Sequence, residues 1–379
     1  MTNPKRFLRR NLFMLKGRYA RRGYDWWWHS FTGVNAITGE EKAFFIEYFA
    51  INPGLYPTKV VLGQRSDNQT YGIRPSYVMI KAGAWGEDAV QINNFYPAKE
   101  LVNKRNKLDF QIGSCILSEH TISGAVSVDK EEALRYPECM TDAGSMSWNL
   151  QVNKKIPYCV GYGTSWFFRF FHFFQMYWHA QGVKTEYSGK VTLNGSVYNV
   201  LPESCYGYAD KNWGVDFTNP WVWLSSCDVT SLITGKKLEN SCFELGGGTP
   251  RVLGIPVKGK VLTYLKLEDE EFEFNFSKFW KKSSTRYTFF DEGDEVHWTI
   301  STQNRNYLID INVFCHKKDM IKVKYENPNG QKLHENLWNG GNGRGDIKIF
   351  KKIGSKNLEV YEHLSIGHVG CEYGEYEEK

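Results

Sequence analysis

Between Tyr208 and Trp223 the chain reads YADKNWGVDFTNPWVW, which places an acid, a base and an amide directly before an indole and a glycine. A carboxyl buried among large apolar rings keeps its proton to higher pH than one in water, so Asp210 is a candidate proton donor. Aromatic faces also stabilise a developing cation, by about 0.5 to 2 kcal/mol for a well-placed ring. In an extended strand Asp210 and Asn212 share one face, and Lys211 points the other way, out of the cavity. Tyr208 and His179 are the residues to orient or deprotonate a nucleophile, with Asp210 first as acid. Asn212, Trp213 and Trp223 complete the expected lining. The plainer role for Asp210 is a structural ion pair or a strand-end hydrogen bond. On strict alternation Trp213 and Trp223 would face away from Asp210, but Gly214 and Pro220 interrupt the strand.

Two further segments repeat this chemistry. SWFFRFFHFFQMYWHAQG (165–182) sets His172 and His179 among aromatic rings, and alternation directs Tyr177 and His179 together, away from Trp178. Such a histidine serves either as a neutral donor or acceptor, or as an ordinary hydrogen-bonded core residue. YDWWWHS (24–30) adds Trp27, Asp25 and His29 to the candidate ligand-binding set, and Glu372 is a further candidate acid. The central expectation is that the indoles near Trp213 and a protonatable side chain border one dry hollow inside a closed sheet.

The elements that must position these residues are mainly strands. KAFFIEYFAI, SYVMIKAGAW, KVTLNGSVYNV, EFEFNFSKFW, EVHWTISTQ and YLIDINVFC alternate in polarity or are rich in aromatic and β-branched residues. Asn194 and Gly195 suit a two-residue hairpin turn that needs positive φ. Helical signals are few: the basic N-terminus, 129–134, and part of 166–178. GGGTP (246–250) and NGGNGRGD (339–346) look like turns, and neither has the strand-to-helix context of a phosphate cradle. The fold class is mainly β, a barrel or a pair of barrels, because closure removes exposed strand edges.

A chain of 379 residues favours two domains or a double unit. Aromatic residues make up 16% of it, including 13 Trp, more than core packing alone demands, so some rings should line a cavity. A net charge of +5 with no RNA or DNA motif argues against a nucleic-acid partner. The 8 cysteines are scattered, with no CxxC pair and no zinc spacing against histidine, which suggests reduced thiols, a cytoplasmic setting and no metal site. No signal peptide or apolar span of membrane length stands out. Residues 1–23 are basic and amphipathic, suited to docking on the protein's own body or to peripheral contact with an anionic membrane.

The DKNWG core at 210–214, Pro220 and WVW at 221–223 together resemble the "E-K-[ND]-W-G…F-P…W-x-W" signature of tocopherol cyclase-like proteins, related to the lipocalin-like carotenoid hydratase and AttH groups. His179 before the Asn194–Gly195 hairpin, Asp25 with Trp27, and VYEHLSIGHVGCEYGE (360–375) fit the same family. Departures are Asp210 in place of Glu, and Thr218 and Asn219 inserted between Phe217 and Pro220. The resemblance implies two lipocalin-like antiparallel β-barrels or half-barrels packed together, divided as a 1–23 segment, a 24–187 domain and a 188–379 domain. It also implies a cofactor-independent isomerase or cyclase acting on a hydrophobic prenylated or aromatic molecule. A carrier of a hydrophobic ligand, without turnover, is the alternative. Oligomeric state has no signature in the sequence.

Overall fold

The computed structural model describes the chain apart from residues 1–6, 136, 138–139, 161–169, 172, 253, 258, 277, 279–282, 332–336, 355–356 and 377–379. His172 therefore lies outside the described residues. The alternating segments form β1 (Tyr24–Asn35), β2 (Glu41–Ile51), β3 (Tyr77–Ala84), β4 (Val90–Tyr96), β5 (Leu101–Asn103), β6 (Asp109–Ile112), β7 (Cys115–Ser118), β8 (Thr121–Val128), β9 (Gly144–Tyr158), β10 (Met176–Leu193), β11 (Ser196–Val200) and β12 (Tyr208–Gly214). These twelve strands make one antiparallel sheet. A second sheet contains β13 (Trp221–Ser226), β14 (Asp228–Ser231), β15 (Cys242–Gly248), and, after a ribbon of β16 (Arg251–Val252) and β17 (Ile255–Pro256), β18 (Lys260–Leu267) and β19 (Glu270–Phe274). It continues through β20 (Ser284–Glu292), β21 (Glu295–Gln303), β22 (Tyr307–His316), β23 (Met320–Val323), β24 (Leu337–Ile353) and β25 (Asn357–Gly374). The first sheet keeps the chain until Gly214. Residue 187 thus falls within β10, and the passage between sheets is the 215–220 turn.

In the first sheet β12 and β11 share, end to end, the slot between β1 and β10, so that these four strands form a closed circuit of pairings. Asn194 (φ 48°) and Gly195 (φ 87°) make the expected hairpin between β10 and β11. The sheet curls until β4 meets β8, where Asn94 Nδ2 donates to the Ser127 carbonyl (3.2 Å) and Asn94 Oδ1 accepts from the Ser127 N–H (2.9 Å). Side chains such as Phe44, Ile80, Phe110, Leu150 and Tyr187 fill the enclosed space. The second sheet wraps a separate core of Phe243, Leu265, Trp298, Ile311 and Ile347 as a half-barrel. A third cluster, rich in aromatic rings, joins the two sheets.

Glycines in the second sheet receive indoles from the first. A Cβ on Gly246 would stand 2.4 Å from the Trp178 ring, and one on Gly341 would stand 2.3 Å from the Trp85 ring. GGGTP and NGGNGRGD are therefore not turns. Gly246–Gly248 lie in β15 and residues 339–346 in β24, because close approach of a large ring to a strand backbone needs a residue without a side chain.

The N-terminal segment docks on the first barrel. Phe7 packs against His179, Phe13 against Trp27, and Leu15 joins the barrel core. The Trp27 indole N–H donates to the Asn11 carbonyl (2.8 Å), and the Met14 N–H donates to Asp25 (2.6 Å). Arg9, Lys16, Arg18, Arg21 and Arg22 stay exposed. Among the described residues no helix is long and apolar enough to cross a membrane.

Two substitutions test this architecture. Gly246→Ala should cost about 1–3 kcal/mol in denaturant unfolding, through displacement of Trp178. Lys211 forms a fully buried ion pair with Asp25, so Lys211→Met should cost about 3–5 kcal/mol. Adding Asp25→Asn should recover part of that loss, and an additive double mutant would refute the pairing.

Candidate active site

Alternation along β12 sends Asp210 and Asn212 into the layer between the sheets and Lys211 into the interior of the first barrel. Lys211 thus points away from Asp210 as expected, but into the core rather than outward. There it is buried against Asp25, with its ammonium 3.7 Å from the Trp27 ring centroid. Burial pushes the Asp25 carboxyl up and the Lys211 ammonium down, while each one's charge pulls the other back toward the ionised pair.

Among the described residues, the layer between the sheets holds the buried carboxyl groups of Glu47, Asp210, Glu244 and Glu372. Each accepts from an indole or phenol. Trp178 Nε1 donates to Asp210 Oδ2 (2.7 Å), Trp221 Nε1 to Glu372 Oε2 (2.6 Å), Trp223 Nε1 and the Tyr208 hydroxyl both to Glu244 Oε1 (3.0 Å each), and the Tyr325 hydroxyl to Glu47 Oε2 (2.7 Å). Lys81 sits 3.2 Å from Glu47 Oε2, and burial lowers its pKa. Burial raises Asp210 to about 8 and Glu372 to about 7, and carries Glu244 well above the carboxylate range. Charge repulsion adds to the desolvation: Glu372 and Glu47 oppose ionisation of Asp210.

Trp26, Trp28, Asp210, Asn212, Trp221, Trp223, Tyr325, Asn339 and Glu372 enclose a hollow of about 20 Å³. Asp210 Oδ1, Asn212 Oδ1 and Trp28 Nε1 are buried at its wall with no hydrogen-bond partner among the described residues. This volume is enough for one water-sized group. The expected dry hollow inside a closed sheet is therefore corrected in place: it lies between the sheets, and the rings themselves nearly fill it.

The 215–220 turn resets the strand register, which brings Trp221 and Trp223 both to the hollow although Trp213 faces away. Trp213 stacks on Tyr177 (5.5 Å) at the floor of a cleft of about 800 Å³, with Met14, Leu15, Phe173 and Phe174. Arg22, Arg74 and Arg251 also line this cleft. His179 is buried against Phe7, on the face opposite Trp178. His29 hydrogen-bonds the Tyr187 hydroxyl (2.8 Å), and burial lowers it to about 3, so it is neutral. Of the residues singled out from the sequence, Asp210, Asn212, Trp223 and Glu372 meet at the hollow, and Tyr208 sits beside it through Glu244. Asp25, Trp27, His29, His179 and Trp213 lie on the other face of their strands. Glu47 and Glu244 were not singled out, although each is a lone acid in an apolar strand (FFIEYFAI, CFELGGG), a pattern that marks a buried carboxyl.

The family model described as "Tocopherol cyclase-like" matches residues 104–374, more than two thirds of the chain. A protein of Oryza sativa subsp. japonica, "Probable tocopherol cyclase, chloroplastic", is 28% identical over 144 residues, which is 37% of this chain. The match spans 27% of the rice protein's length. Kievitone hydratase from Nectria haematococca superposes with a TM-score of 0.43 at 11% identity, covering 90% of this chain and 88% of that one. An AttH-like protein of Nitrosomonas europaea gives 0.45 at 11% identity over 92% and 93% of the two chains. On the extent of the family match, and with the DKNWG and WVW motifs meeting at one hollow, the chain belongs to the tocopherol cyclase-like family.

Proposed function

We propose that the protein is a cofactor-independent acid–base catalyst of the cyclase or hydratase type, acting on a hydrophobic molecule with an isoprenoid alkene. One observation carries this reading: the Asp210 carboxyl, kept protonated by burial, borders the same indole-walled hollow as a second carboxyl, Glu372. Two buried carboxyls bordering one dry hollow are the ingredients of general acid–base catalysis. Once side chains around the 20 Å³ hollow move apart to admit it, an alkene takes the Asp210 proton at its less substituted carbon, and the tertiary cation that results faces Trp26, Trp28, Trp221 and Trp223. A phenol oxygen of the same molecule then bonds to the cation. Its proton returns to the Asp210 carboxylate, so the acid is restored and the sum is an isomerisation of a prenylated quinol to a chromanol. The family supports this class of reaction, and the chain itself supplies both donor and acceptor.

A carrier of a hydrophobic ligand is the second reading, favoured by the contrast between the 800 Å³ cleft and the 20 Å³ hollow. Against it stands the acid-rich layer, since a carrier has no use for buried carboxyls beside its ligand.

Asp210→Asn discriminates between them, with a prenylated hydroquinone as substrate. Loss of a general acid should slow turnover by about 10²- to 10⁴-fold while leaving binding intact. Wild-type rate should fall above about pH 8 as Asp210 ionises. Stability carries a matching signature. The native state holds the Asp210 proton where the unfolded chain has released it, so native protons outnumber unfolded ones from the ordinary carboxylate range up to about pH 8. Stability therefore declines across that window, and Asp210→Asn should flatten the decline in a pH series of thermal melts. Undiminished turnover in Asp210→Asn would reassign the acid.

A further inference from the structure

Asp210 is tied by strand register to an ion pair that the proposed chemistry leaves unused. Across the first sheet Asp210 pairs with Trp28, Trp28 with Glu47, Glu47 with Lys81 and Lys81 with Asn93, so β12, β1, β2, β3 and β4 each place one residue in a single row. Residues directly opposite each other in an antiparallel sheet share a face. This row turns toward the second sheet, where Asp210 and Trp28 line the hollow while Glu47 and Lys81 meet Tyr325. Acid, indole, acid and amine thus follow one another at strand spacing, all of them buried.

The acids of the row are held by different means. Lys81 Nζ stands 3.2 Å from Glu47 Oε2 and 4.1 Å from the centre of the Tyr325 ring, and the Tyr325 hydroxyl donates to the same Glu47 oxygen (2.7 Å). An ammonium and a phenol O–H therefore converge on one carboxylate. Asp210 Oδ2 receives neutral donors instead, the Trp178 indole N–H (2.7 Å) and the Asn212 amide (3.3 Å). Of the buried lysines Lys81 and Lys211, the second points into the barrel toward Asp25, so Lys81 supplies the ammonium of this layer. Two interstrand steps, roughly 9.6 Å, separate Asp210 from Glu47 in the row. Like charges at that range in a medium of intermediate dielectric repel by an amount equivalent to roughly one pH unit, and an ammonium one step farther off cancels part of it. Glu372 and Glu244 also face Asp210 from the second sheet, with Tyr208 and Tyr325 beside the hollow and Tyr187 and Lys211 on the barrel side of β12. The Glu372 charge acts in the same direction as that of Glu47.

We propose that Lys81 is a positioning residue: its ion pair with Glu47 fixes a negative charge two strands from Asp210, and that charge helps keep Asp210 the proton-holding member of the layer. Tyr325 completes the device, since it donates to Glu47 and walls the hollow at once. The consequence for catalysis rests on the acid–base reading of Asp210, whereas the charge arrangement rests on the row alone.

Side-chain carboxyl NMR of the full chain, carrying isotope-labelled aspartate, reads this without any substrate. The Asp210 signal is the one missing from Asp210→Asn. Its titration midpoint, about 8 in the wild type, should fall by roughly half a pH unit or more in Glu47→Gln and in the double variant Glu47→Gln/Lys81→Met. The double variant replaces the pair by uncharged side chains of similar size, which keeps the fold where a lone buried ammonium would strain it. Lys81→Arg retains the ion pair and should retain the midpoint. A midpoint that stays at the wild-type value in both Glu47 variants overturns the proposal. A shift in Lys81→Arg as large as that in the double variant also overturns it, because the effect would then belong to packing. A midpoint that moves as expected beside undiminished turnover of a prenylated hydroquinone in Asp210→Asn would keep the charge arrangement and remove the acid assignment, so the two ideas fail separately.

Discussion

Indole N–H and phenol O–H groups hold the carboxyls buried between the two sheets, and the site depends on that interaction. An ionised acid in so dry a layer is costly unless it is compensated, and among the described carboxyls Lys81 reaches Glu47 directly. Neutral donors such as the Trp178 and Trp221 indoles satisfy an oxygen each without supplying a full charge. The acids therefore sit where burial outweighs hydrogen bonding, which raises Asp210 to about 8 and Glu372 to about 7. An arginine in place of either indole would hold the neighbouring acid ionised.

The same indoles dock the sheets. Trp178 serves twice: its ring edge occupies the space over Gly246 while its N–H holds Asp210. Packing of the half-barrel against the barrel and orientation of the candidate acid are thus one arrangement, and a change at the interface reaches the carboxyl directly. The opposite face of β12 is organised differently. There Lys211 and Asp25 neutralise each other beneath the N-terminal segment, beside the Trp27 ring. One strand carries a charged, compensated face and a protonated, uncompensated one, one residue out of phase.

Much of this was legible in the sequence. Alternating strands, the Asn194–Gly195 hairpin, the short helix at Lys130–Arg135 and the opposed directions of Asp210 and Lys211 follow from local rules. Period-two alternation also placed Tyr177 and Trp178 on opposite faces. The errors came where local rules stop. Glycine-rich runs read as turns because only the facing sheet reveals which ring needs the space. Trp213 and Trp223 were grouped by proximity in the chain, although the 215–220 turn sends one to the cleft and the other to the hollow.

The sequence by itself determined that this is a β protein with an acid set among indoles, because strand periodicity and residue chemistry act over a few residues. Which acids share a hollow, how little space it leaves, and where the large cleft opens were decided by tertiary structure. Those properties belong to the meeting of residues such as Asp210, Glu372 and Tyr325, brought together from three separate stretches of chain when the two sheets close on each other.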